Sequence, residues 1–297
     1  MPSLEPQRPG HIPQQPPWGA YTPPFLGRAL HGLVRLGMAR GPVKRALRRA
    51  WRTAVGGGPV DIVHRGLRLR LHPFDNTIDA KILFGSRPRE RVELGCLARL
   101  PRRGLFVDIG ANCGYYTLMA CALGYERVIA VEPNPLMQER LRFNVEANGL
   151  EGRVTVLPCA LGTSEGRCTL SVPAGTDVDL GGASVLPDQE RMGPTESRWT
   201  VEVPMRTLAG VLAEARARGL DALKIDVEGA EDQVLCGFVR TAPSRLLPRL
   251  VILEHVNRTR WREDVLALLA ARGYVPVTRT RANTVLRLDA PPAGASG

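Results

Sequence analysis

From Gly104 onward, short apolar runs alternate with segments whose apolar residues recur every three or four positions. Leu105 to Ile109 has the length and apolar content of a buried parallel strand. Tyr115, Leu118, Met119 and Ala122 then fall on one helical face, and Gly124 is placed to close that helix. Arg127 to Val131 predicts a second strand. Asn134 can cap the next helix, with Pro135 at its first position and Met137, Leu141 and Val145 on one face. Val154 to Leu157 predicts a third strand. The alternation resumes with a helix marked by Leu208, Val211, Leu212 and Ala215, capped by Thr207 and closed by Gly219. A strand over Ala222 to Val227, a helix to Phe238, a strand over Leu250 to Leu253 and a helix over Trp261 to Ala271 follow. Tyr274 to Thr278 and Thr284 to Leu288, joined by a short turn, read as an antiparallel hairpin. Repeated strand–helix units ending in a hairpin predict an α/β fold: a Rossmann-like, doubly wound sheet, mostly parallel with one antiparallel strand.

The flanking segments have other patterns. Cys168 to Val172 and Trp199 to Met205 look like strands around a loop holding Gly175, Asp177, Asp179, Gly181, Gly182 and Ser184. A strand pair is predicted between Val60 and Leu71, and a helix from Pro88 to about Arg99. Before these lie two basic amphipathic segments, one with Leu26, Leu30, Leu33 and Val34, the other with Val43, Leu47, Ala50 and Trp51. Gly56-Gly57-Gly58 reads as a flexible break. Residues 1–24, with two Pro-Pro pairs, predict a disordered or polyproline-like tail. The expected organisation is therefore a tail over 1–24, a basic extension over 25–56, one catalytic domain over 57–290 and a flexible tail over 291–297.

Charge sharpens that division. The formal net charge is +11, but Phe25 to Ala54 carries eight basic residues and no Asp or Glu. The remainder is nearly balanced, and 37 of the 40 basic residues are arginine. The basic segment suits contact with an anionic membrane surface or packing of its helices on the domain. Nucleic acid is disfavoured because no RNA-binding module accompanies it. Apolar runs are too short for a transmembrane helix, and Arg28 and Arg35 interrupt the only stretch resembling a signal sequence. Six cysteines without a CxxC pair point to a reducing cytoplasm, with peripheral membrane contact as an addition.

The candidate chemistry sits at strand ends. Val107-Asp108-Ile109-Gly110-Ala111-Asn112-Cys113-Gly114 closes the first strand with a glycine-bearing turn, at which a ligand can approach the backbone ahead of a helix. Glu132 ends the second strand, 22 residues after Gly110, where a carboxylate can accept both ribose hydroxyls of an adenosine. A dinucleotide site would want a middle glycine where Asn112 stands, so S-adenosylmethionine fits better than NAD. An NAD-dependent oxidoreductase and a non-catalytic nucleotide-binding scaffold are the alternatives. Lys224, Asp226 and Glu228 share one side of the fourth strand's end if it stays extended. They can orient an acceptor, take its proton or hold the donor's amino group, or else form an ion-pair cluster. Glu254-His255 ends the fifth strand on the same edge; His255 is a candidate base, and no metal is expected. Cys113 lacks a basic partner and reads as a packing residue.

VDIGANCG, VEPNP (Val131 to Pro135), NVEANGL (Asn144 to Leu150) and LKIDVEGAE (Leu223 to Glu231) together resemble the FkbM-type methyltransferases, over about residues 104–255. The resemblance implies a seven-stranded methyltransferase sheet, S-adenosylmethionine as donor and a hydroxyl acceptor on a small molecule or glycan. Carried residue by residue, it implies that Asp108, Gly110, Asn112 and Gly114 form the donor loop. Glu132 would hold the ribose, with Pro133 and Asn134 beside it, and Cys159 and Ala160 would lie near the adenine. The catalytic candidates are Asp226, Glu228, Lys224 and His255.

Overall fold

A computed structural model describes residues 15–38, 41–85, 90–174, 179–185 and 197–289. The terminal tail over 291–297, the first part of the proline-rich tail, and Gly175 and Asp177 of the glycine-rich loop lie outside them.

Two helices, α1 (Phe25–Leu33) and α2 (Gly41–Val55), precede the strand pair β1 (Val60–His64) and β2 (Leu67–Leu71). Two short helices follow, α3 (Thr77–Phe84) and α4 (Arg91–Ala98). The main alternation runs β3 (Leu105–Ile109), α5 (Tyr115–Ala122), β4 (Arg127–Val131), α6 (Pro135–Glu146), β5 (Val154–Leu157). A small three-stranded sheet is made of β6 (Ala160–Leu161), β7 (Gly166–Ala174) and β8 (Ser197–Arg206). The chain finishes with α7 (Leu208–Glu214), β9 (Ala222–Ile225), α8 (Glu231–Thr241), β10 (Leu250–Glu254), α9 (Val265–Ala271), β11 (Tyr274–Arg279) and β12 (Asn283–Leu288).

Among the described residues the central sheet has seven strands in the order β11-β12-β10-β9-β3-β4-β5. All neighbours are parallel except β12, which runs antiparallel to both β10 and β11. The direction of winding reverses between β3 and β9, so a crevice opens at their carboxyl ends, where open α/β sheets bind ligands. Strand alternation divides the core. Phe106, Ala130 and Ile252 face one layer, while Val107, Ile109, Ile129, Leu223 and Leu253 face the other.

The amino-terminal segment is more firmly attached than its composition suggests. Trp51 of α2 is 1% exposed and belongs to the main core, its ring edge-on to Phe84 at 5.8 Å. Arg48 stacks over Phe74 and donates to the Pro73 carbonyl at 3.2 Å. Residues 15–24, expected as part of a disordered or polyproline-like tail, lie across the strand pair. The buried Arg70–Asp61 pair gives the reason: Arg70 donates to the carbonyls of Pro16 and Pro17, and Asp61 accepts from the backbone N–H of Gly19 and Tyr21. A charged pair that is buried needs these extra bonds to fill its remaining donors and acceptors. The proline-rich strand supplies them.

Two further departures have local causes. Helix α3 was not anticipated from the sequence; it is set by Asn76, whose side chain accepts from the N–H of Ile78 and Asp79. The helix expected from Trp261 begins later, at Val265, where Asp264 caps it.

Candidate active site

The loop after β3 is built from left-handed residues: Gly110 at φ 72°, Asn112 at 53° and Gly114 at 92°. Gly110 is required at its position, since a Cβ there would stand 1.9 Å from the Asp226 carbonyl oxygen. Asn112 is the unusual member, because a side chain in this conformation is strained. Its amide oxygen is held by Asn76 Nδ2 and by the Cys113 N–H, both at 2.7 Å. Asn144 adds a bond from Nδ2 to the Cys113 carbonyl while its oxygen accepts from the Arg70 N–H. One turn later, Asn148 bonds both the N–H and the carbonyl of Arg68. The two asparagines of NVEANGL thus complete the edge of β2 and lash it to the loop.

Glu132, at the end of β4, accepts from the Asn112 N–H at 2.7 Å through one oxygen and from the Asn134 N–H at 2.8 Å through the other. Each oxygen keeps a second lone pair. Burial pushes this carboxyl up to about 7, against the opposing pull of those two N–H donors.

On the other side of the crevice, Lys224 is buried beside Asp108, its register partner across β3 and β9. Its ammonium donates to the Gly110 carbonyl at 2.8 Å and lies 3.7 Å from Asp108 and 3.6 Å from Asp226. Burial opposes the charge, but the carboxylates of Asp226 and Asp108 outweigh it and hold Lys224 above its ordinary value. Strand β9 ends at Ile225, so the extended path does not reach Glu228. A turn brings it in instead: Glu228 is left-handed at φ 57° and accepts from Asn257 Nδ2 at 3.1 Å. Glu231, the last residue of LKIDVEGAE, shapes that turn by accepting from the N–H of Val227 and Gly229 and from the Trp261 indole.

These groups line one cavity of about 270 Å³, at which Gly110, Asn112, Glu132, Pro133, Cys159, Ala160, Lys224, Asp226 and Glu228 all appear. Asp179, Gly181, Ala183 and Val185 form its outer wall. That wall is fastened by the Asn134 side chain to the Leu180 carbonyl and by the Leu180 N–H to the Asp75 carbonyl, both 2.8 Å.

Four sequence candidates stand outside the lining. Asp108 is 0% exposed; it accepts from Thr117 beneath the loop and lies 3.7 Å from the Lys224 ammonium. Gly114 packs on Leu141, and Asn134 caps α6 besides holding the wall. His255, expected as a base, has both ring nitrogens engaged, Nδ1 with Thr284 at 3.0 Å and Nε2 with the Arg279 guanidinium at 3.4 Å. Burial and then Arg279 and Arg258 lower its pKa. Its neighbour Glu254 faces the cavity in its place. It is 8% exposed, one carboxyl oxygen has no hydrogen-bond partner among the described residues, and burial with Asp226, Glu231 and Glu228 nearby pushes it up to about 8. Asn76 was missed, because only tertiary contact reveals it, whereas the glycine-rich loop was expected to shape the acceptor pocket and contributes Asp179 and Gly181 to the lining. Cys113 donates its thiol to Asp79 at 3.1 Å, and burial raises its pKa well above normal, so it packs rather than reacts.

Residues 108–276, more than half of the chain, match the family described as Methyltransferase FkbM domain. The methyltransferase sdnD of Sordaria araneosa is 29% identical over 213 residues, covering 63% of this chain and 79% of that protein. Methyltransferase 1 of Beauveria bassiana is 27% identical over 157 residues, covering 48% of this chain and 61% of that one. Among solved structures, the human methyltransferase 10 domain containing protein aligns at a TM-score of 0.43 and 12% identity, over 89% of this chain and 96% of that one.

Proposed function

Because the chain belongs to the FkbM methyltransferase family, we propose that it methylates a hydroxyl oxygen of a small molecule or glycan, with S-adenosylmethionine as donor. The observation that carries this reading is the meeting, in one cavity, of Glu132 and the Gly110–Asn112 loop with the carboxylates Asp226, Glu228 and Glu254.

The residues present suit such a donor. Val131, Pro133, Cys159, Ala160 and Leu161 offer an apolar slot for adenine beside Glu132. The free lone pairs of Glu132 can take two ribose hydroxyls, and backbone groups of the loop can meet the aminoacyl tail. When bound, S-adenosylmethionine supplies an electrophilic methyl group on a sulfonium.

The chain's own residues do the rest. With the donor bound, Asp226 and Glu228 would orient the acceptor hydroxyl and take its proton as the methyl group is transferred. Lys224 pairs with Asp226 and fixes the Gly110 carbonyl. Glu254, protonated near neutral pH, donates a hydrogen bond that positions the acceptor. A well-placed general base contributes about 10²–10⁴-fold, and holding the reactants in line supplies more.

The test is mass spectrometry of small molecules released from the purified protein, with calorimetric titration of S-adenosylhomocysteine and NAD. Release of the donor or its demethylated product, and binding of S-adenosylhomocysteine, are expected. NAD bound in their place would overturn the proposal.

A further inference from the structure

Helix α1 is apolar on two sides, and the fold uses only one. Toward the domain, Gly27 and Val34 are buried and Leu30 is partly so; Gly27 packs so tightly on α2 that a Cβ would stand 2.8 Å from Val55. On the opposite arc lie Phe25, Leu26 and Leu33, and the π-helical turn Val34–Met38 that continues α1 adds Leu36. Phe25 is 80% exposed, Leu36 79% and Leu26 56%. Arg28 and Arg35 border this stripe, both exposed. On α2 the inward side carries Leu47 and Trp51, with Arg52 stacked over Phe74, while Arg45 and Arg49 are exposed on the outside. From Phe25 to Val55 the sequence has eight basic residues and no acidic one.

We propose that this face docks on an anionic lipid bilayer, with Phe25, Leu26, Leu33 and Leu36 entering the headgroup–acyl boundary and the arginines meeting lipid phosphates. The combination identifies the occupant. A nucleic-acid backbone would use the arginines but leave an apolar stripe in water, whereas an interfacial helix uses both. Each basic residue near a charged bilayer adds attraction that salt weakens. No helix among the described residues is long and apolar enough to cross a membrane, so the contact is peripheral. Its position is also suited to catalysis. A groove of about 290 Å³ between α2 and α3, lined by Lys44, Arg48 and Phe74, shares Thr77, Lys81 and Asp179 with the main cavity.

The test uses the full chain and co-sedimentation with vesicles of phosphatidylcholine, alone or containing one part in three of phosphatidylglycerol. Binding is expected to the anionic vesicles, and to weaken with added salt. A Phe25→Glu/Leu36→Glu double variant, changed only at exposed positions, should melt normally and lose about tenfold or more in vesicle affinity. Arg45→Ala/Arg49→Ala should weaken binding most at low salt. Absence of binding to anionic vesicles would overturn the proposal, as would equal binding by wild type and the double variant. If light scattering instead shows a dimer that the double variant dissociates, with no vesicle binding, the face belongs to a second copy of the chain.

Discussion

If Glu132 holds the donor's ribose as proposed, donor affinity depends on pH in a calculable way. Its carboxyl, pushed up to about 7 by burial, titrates within the range in which the folded protein can be handled. Ribose hydroxyls donate hydrogen bonds, so they favour the ionised form. Because the pKa is raised, the carboxylate is withheld below 7 and becomes available as pH rises through it. If only the ionised form binds, its population goes from about one part in eleven at pH 6 to ten in eleven at pH 8, so affinity should gain about tenfold. The ligand to titrate is S-adenosylhomocysteine, by calorimetry at both pH values. Glu132→Gln should abolish the gain. At pH 8 it should also weaken binding about ten- to a hundredfold, as expected for losing a charge-assisted hydrogen bond of roughly 1.5–3 kcal/mol. Glu254→Gln, in the same cavity, should keep the slope. A flat profile in the wild type, or an unchanged slope in Glu132→Gln, would refute the argument.

Other consequences are as direct. Asp226→Asn and Glu228→Gln should bind S-adenosylhomocysteine within a few-fold of wild type. With an accepted substrate, turnover should fall about 10²-fold or more for whichever is the base; normal turnover with a lowered melting temperature would make them structural. Trp51→Ala should cost about 3–5 kcal/mol in denaturant unfolding, and removal of residues 1–55 should abolish cooperative melting. An undisturbed transition in either would place α2 outside the fold. His72 is lowered from 6.5 to about 3 by burial, then by Arg140 and Arg70. The unfolded chain therefore takes up its proton first, and stability should decline as pH falls below about 6.5. His72→Asn should flatten that decline; an identical slope in both proteins would dismiss His72 as its source.

The central architecture could be read from the sequence because periodicity and capping decide it locally. Leu105–Ile109, Arg127–Val131 and Val154–Leu157 are strands at the expected bounds, and Asn134 caps α6 as expected. What escaped depends on contacts between distant positions. Nothing near Trp51 says that it fills the core beneath Phe84, and nothing near Pro16 says that Arg70 needs its carbonyl. Lys224, Asp226 and Glu228 were expected together by strand alternation, yet Glu228 arrives through a left-handed turn held by Glu231. His255 and Glu254 are adjacent in sequence, and only the side of β10 each faces distinguishes the engaged residue from the one lining the cavity.

The contact at Gly110 bears on how this chain can be redesigned. Its Cα lies against the Asp226 carbonyl, and its own carbonyl is bonded by Lys224. The loop assigned to the donor and the turn assigned to the acceptor therefore share a backbone contact with no side chain to absorb a shift. Displacing the turn to admit a bulkier acceptor displaces the loop as well, so selection for new acceptors at 226–229 carries a penalty in donor affinity. Ala183 and Val185 meet the same cavity from the outer wall. Libraries directed there can alter which hydroxyl enters while leaving the Gly110 contact intact.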